Sequence, residues 1–198
     1  MGLNDTDPVP DIVELIEREA AVPVFLTPLP RGIAGLASRF DGRWYIVGDS
    51  GGSVAGRLRF TLAHELGHVV MEHEPAIDDD ETLREGTDRR GSNPQEVEAN
   101  YFAAELLVPR GLVEDRLRMR EPDLAFVQEI AALTGTTAWV PFYRIKTLDL
   151  LDRAALWKLQ AEIQEAPLVV GAEDTAARYA QSGETRFPPI GLGHEEGV

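Results

Sequence analysis

Residues 59–73 read RFTLAHELGHVVMEH, an apolar run that places His64, Glu65 and His68 at fixed intervals. The apolar periodicity predicts a helix from about Val54 to His73. Three polar groups on a stretch that reads as a buried helix need a reason, and the spacing supplies one. Residues i and i+4 of a helix share a face, so His64 and His68 aim two imidazoles at one point. Glu65 lies about 100° round the helix from His64, close to that point but off its axis. Gly67, without a side chain, leaves room for a strand or a substrate backbone beside the histidines.

The pattern HELGH fits H-E-x-x-H, in which two imidazoles hold zinc and the glutamate works as a general base. The glutamate takes a proton from water and later gives it to a leaving amine. The chain has no cysteine, so a transition-metal site falls mainly to His, Asp and Glu, and the lack of disulfides fits the cytosol. A catalytic zinc needs three protein ligands and one open position. A third histidine further along the same run is excluded, because Met71 and Glu74 stand where that pattern requires Gly and His. His73 is one residue short; it reads as a surface histidine or one that supports a ligand from behind. The third ligand is sought in NPQEVEANYFAAELLVP, a predicted helix over 94–107 ended by Val108-Pro109. Glu96 and Glu98 compete for the role, and two residues apart on a helix they cannot face the same point. Glu96 is preferred, because Asn100 at i+4 can hydrogen-bond a ligating imidazole, whereas Glu98 has Phe102 there. Against it stands a capping box, with Asn93 at the N-cap, Pro94 next, and Glu96 reaching back to the Asn93 amide.

Around these two helices the sequence predicts an α+β fold. A first helix is read over 8–20 and strands near 21–26, 33–40 and 43–48, the last two joined by a tight turn at Asp41-Gly42. Residues 74–93 are polar, acidic and too long for an ordinary connection. Helices follow at about 110–120, 123–133, 140–150 and 152–165, and the tail from Pro167 onward reads as irregular. The organisation is therefore a core over 1–108 in which a small twisted sheet packs on the HELGH helix, a helical lobe over 109–165, and a tail over 166–198. The net charge of −15 argues against a nucleic-acid partner. No run approaches the roughly 20 apolar residues of a membrane span, and the acidic N-terminus lacks the pattern of a secretory signal.

RFTLAHELGHVVMEH and EVEANYFAAELLVP, at this separation, resemble the ImmA/IrrE family of metallopeptidases. The resemblance implies zinc as cofactor, His64, His68 and Glu96 as its ligands and Glu65 as the general base. It also implies a cytoplasmic protein that cleaves a helix-turn-helix repressor and so regulates transcription, a basic partner that an acidic surface would suit. The alternative is a module that keeps the fold and only sequesters the repressor. Residues 129–151 resemble the helix-turn-helix-like lobe that follows the catalytic part in relatives. Trp139, Phe142, Ile145 and Leu148 are spaced there as core, and residues 109–160 hold eight Lys/Arg against seven Asp/Glu, so no basic face is expected. A substrate would add as a strand to the sheet's edge. Tyr101, His73 and Arg59 are the candidates for stabilising a developing oxyanion beside the metal.

Overall fold

The computed structural model describes residues 4–51, 54–73, 77–79, 93–118, 120–167 and 174–188. The fold is α+β. Helix α1, Ile12–Glu19, starts where Asp11 Oδ1 accepts from the amides of Val13 (2.9 Å) and Glu14 (3.1 Å). It buries Ile12, Val13, Leu15 and Ile16. Strands β1 (Val24–Thr27), β2 (Ile33–Phe40) and β3 (Arg43–Asp49) follow. Asp41 and Gly42 both have positive φ, 48° and 76°, the backbone of a type I′ turn, so Phe40 faces Arg43 across a two-residue hairpin.

The HELGH helix, α2 (Ala55–Val70), buries residues on every side, including Leu58, Leu62 and Leu66 as well as its polar groups. β4, Ile77–Asp79, completes a four-stranded sheet in the order β1-β3-β2-β4. β1 runs parallel to β3, and the other pairings are antiparallel. The rest of the acidic stretch 74–93, apart from Asn93, lies outside the described residues. The sheet lies on α2 at glycines: a Cβ on Gly48 would stand 2.8 Å from Leu58 and 3.0 Å from Leu62.

α2 ends three residues before the predicted His73, and the ending matters. Glu72 adopts φ +54°, its amide bonds Val69 O (3.2 Å), and the His73 amide bonds back to His68 O (3.0 Å). This left-handed helix ending folds His73 under the last turn. Helix α3, Pro94–Leu107, packs along α2. α4 (Arg110–Leu117), α5 (Leu124–Thr134), α6 (Trp139–Thr147) and α7 (Arg153–Glu165) form the helical part beyond it. Phe142 and Ile145 are buried in the core, with Trp139 and Leu148 packed against it. Buried Arg144 on α6 donates from Nε to Val108 O (3.0 Å) and pairs with Glu105, which ties α6 to the end of α3.

The tail departs from its irregular reading. Residues Thr175–Ser182 form α8, capped by Asp174 Oδ1 on the Ala177 amide (2.7 Å) and closed by Gly183 at φ +66°. Its buried face is Ala176, Ala177 and Ala180, too weakly apolar to stand out in the sequence but small enough to lie close against α2. Asp174 pairs with buried Arg59 of α2, and Asp11 Oδ2 accepts from Thr175 N (2.9 Å) and Oγ1 (2.6 Å). Arg186 then forms a bridge with Leu26 of β1 and holds Glu17 with both guanidinium ends at 2.8 Å. Among the described residues no helix is long and apolar enough to cross a membrane.

Candidate metal centre

One turn of α2 separates His64 and His68, which brings their Nε2 atoms to 3.0 Å of each other. Glu96, on the first turn of α3, reaches across so that Oε2 lies 3.2 Å from His64 Nε2 and 3.6 Å from His68 Nε2. All three residues are buried, and they are the one such group of potential metal ligands among the described residues. A tetrahedral ion with bonds of about 2.0–2.1 Å holds neighbouring ligand atoms roughly 3.3 Å apart. The spacings of 3.0, 3.2 and 3.6 Å bracket that edge, so the donor set fits a divalent ion.

The carboxylate of Glu96 does not close a capping box on the Asn93 amide. Asn93 caps α3 by itself, Oδ1 accepting from the Gln95 amide at 3.1 Å, while Glu96 turns to the imidazoles. Burial opposes charge on Glu96, but hydrogen bonds and charge from His64 and His68 outweigh it and lower its pKa from 4.5 to about 2. Asn100, one turn further along α3, holds His64 Nδ1 at 3.1 Å from Oδ1. The amide oxygen can only accept, so His64 carries a proton on Nδ1, and its neutral form, the one able to bind a metal, presents a lone pair at Nε2.

Glu65 is buried on the side of α2 that faces the sheet. A Cβ on Gly35 of β2 would stand 3.0 Å from Glu65 Oε1 and 2.6 Å from Thr61 Cγ2. The glycine thus gives the carboxylate its space, a role without any local mark in the sequence. Gly67 does leave room for a backbone, but it is that of α3: its added Cβ would stand 3.1 Å from Ala99 Cα. The close approach lets Glu96, one turn before Asn100, reach the histidines.

Glu98 is not turned to the cluster; its Oε2 lies 3.1 Å from His73 Nε2, and the side chain is 60% exposed. His73 is buried behind His68, with the two Nδ1 atoms 3.0 Å apart. It is neither on the surface nor open to a substrate carbonyl. Arg59 likewise cannot serve an oxyanion, because its guanidinium is enclosed by Asp174 and Val9 O. Tyr101 stands 41% exposed on α3.

No curated protein matches the chain. The sequence pattern of the IrrE N-terminal-like domain, which defines a peptidase family, matches residues 24–139. That span covers more than half of the sequence and holds every residue of the cluster, and the chain belongs to this family.

Proposed function

We propose that the protein is a zinc-dependent endopeptidase whose substrate is a helix-turn-helix transcriptional repressor, cleaved in the cytoplasm to change transcription. The observation that carries the metal reading is the convergence of His64 Nε2, His68 Nε2 and Glu96 Oε2 at one buried point. Buried acceptors that face one another are costly unless a cation joins them, and two imidazoles with one carboxylate form a ligand set of zinc peptidases. Zinc held by these three residues would supply Lewis acidity toward a peptide carbonyl and a water. Glu65, next to His64 and off the ligand axis, takes the proton from that water and delivers it to the nitrogen of the broken peptide bond. Gly35 keeps the carboxylate clear of β2. Membership of a peptidase family supports hydrolysis over storage or transport of the metal. The repressor as substrate rests on the family resemblance and on the acidic balance of −15, which suits a basic DNA-binding partner.

The test pairs metal content with cleavage. Purified protein should hold about one zinc per chain, removable by a chelator. Incubated with a repressor encoded nearby, the wild type should cut it, while Glu65→Gln keeps the zinc, binds the repressor and leaves it whole. If both proteins relieve repression equally in cells and neither cuts, the protein is a sequestering module.

A further inference from the structure

We infer that His73 and Glu98 act as a positioning pair that fixes the tautomer and aim of His68, an inference that rests on the zinc reading above. Protons can be counted along one chain of contacts. Glu98 Oε2, 3.1 Å from His73 Nε2, can only accept, so that nitrogen of His73 carries hydrogen and donates. A neutral His73 ring then has its lone pair on Nδ1, which lies 3.0 Å from His68 Nδ1. His68 must therefore donate from Nδ1, and its lone pair is left on Nε2, the atom turned toward His64 and Glu96. Starting from the carboxylate, each step dictates the next.

Backbone geometry makes the pair a built feature. His73 reaches its place because α2 ends in the left-handed turn at Glu72, where the His73 amide is anchored on His68 O at 3.0 Å. The ring is 6% exposed, while Glu98 sits at the rim of α3 with its charge partly in solvent. The two histidines of the cluster are thus held by different devices. His64 leans on the neutral amide of Asn100, and His68 on a carboxylate through a second imidazole. An anionic end to the hydrogen-bond chain makes His68 the more strongly donating imidazole, as carboxylate–histidine arrangements behind metals do.

The experiment uses the full chain and reads zinc affinity by competition with a chromophoric chelator, with the visible absorption of the cobalt-loaded protein as a second measurement. His73→Phe keeps a ring in the space but cannot accept from His68. It should weaken zinc binding about 10–100-fold and alter the cobalt spectrum. His73→Asn restores an acceptor near the Nδ1 position and should regain most of the affinity. Glu98→Ala, at an exposed position, should weaken zinc in the same direction by less, with Glu98→Gln between it and the wild type. Wild-type affinity and an unchanged cobalt spectrum in both His73→Phe and Glu98→Ala would overturn the pair. If His73→Phe fails to fold, Glu98→Ala decides, since loss of affinity supports the pair and wild-type affinity overturns it. A wild type that takes up no zinc, or binds it as well after His64→Ala, overturns the metal reading and the pair together. Loss in His64→Ala beside full affinity in His73→Phe overturns the pair alone.

Discussion

Helix α2 carries two buried polar sets one after the other, and they are built on opposite principles. Arg59, near its start, places a cation between Asp174 and Val9 O, so donors meet acceptors and charge closes within the chain. Between one and three turns later, His64 and His68 meet Glu96, and three atoms able to donate electron pairs face a single point. Both sets are buried and both join α2 to distant segments. What separates structure from site is the closure of charge: the first set pairs a cation with an anion inside the chain, and the second can be closed by a cation from outside. Burial of polar residues alone would have ranked them equally.

The largest effects should come from the open set. Replacing His64, His68 or Glu96 by Ala should abolish stoichiometric zinc in a metal assay, and Glu65→Gln should slow repressor cleavage by about 10²–10⁴-fold with zinc retained. Equal zinc binding by Glu96→Ala and the wild type would remove the third member of the set. At the closed set, Arg59→Ala leaves Asp174 buried without its partner. Urea unfolding should show a loss of about 3–5 kcal/mol, while the folded protein still takes up zinc. If that variant kept its stability and lost zinc, the contrast between the two sets would collapse. Gly67→Ala should act on both properties at once. Its Cβ must push Ala99 away, costing about 1–3 kcal/mol and weakening zinc, because Glu96 rides on the same helix.

The smallest effect is a pH dependence of the metal-free protein. Glu96 has its pKa depressed from 4.5 to about 2 by the imidazoles, against the opposing effect of burial. A carboxylate shifted down contributes stability above its unfolded value, and that stability is lost as pH falls from 4.5 towards 2. Asp11 is also lowered: burial raises it, but the Thr175 hydroxyl and the amides of Glu14, Thr175 and Val13 prevail. Its share is likewise lost on acidification below its ordinary 3.8. Acid titration followed by circular dichroism should lose part of its slope in Glu96→Gln. An unchanged curve would mean that the imidazoles do not hold the carboxylate as described.

The open set was far more legible in the sequence than the closed one. His64 and His68 are four apart on one helix, and Asn100 stands four after Glu96 on another, so local spacing is enough to pair them. The partners of Arg59 lie 115 residues ahead and 50 behind, and no local rule links them. That is why Arg59 read as a candidate for the site. For His73 the sequence left two readings, surface or support behind a ligand, and could not choose between them, because the left-handed turn that directs it inward occurs at Glu72, not at a glycine that would have marked it. α8 escaped because its buried face is alanine, though Asp174 and Gly183 bracket it as a cap and a stop should. Gly67 announced a close approach without saying which backbone approaches.

The bridge between Leu26 and Arg186 has a consequence for how the molecule is made. β1 is an outer strand, and its free side is covered by two main-chain hydrogen bonds with Arg186, of 3.0 and 2.7 Å. Arg186 also reaches Glu17, 169 positions earlier. On a ribosome, α1 and the first three strands emerge long before the residue that seals them. Throughout that interval the nascent chain carries a raw sheet edge able to pair with a neighbour. Joining ends so far apart in sequence also ranks among the slower steps of folding. The last described segment of the chain thus decides how long every earlier segment remains at risk of aggregation.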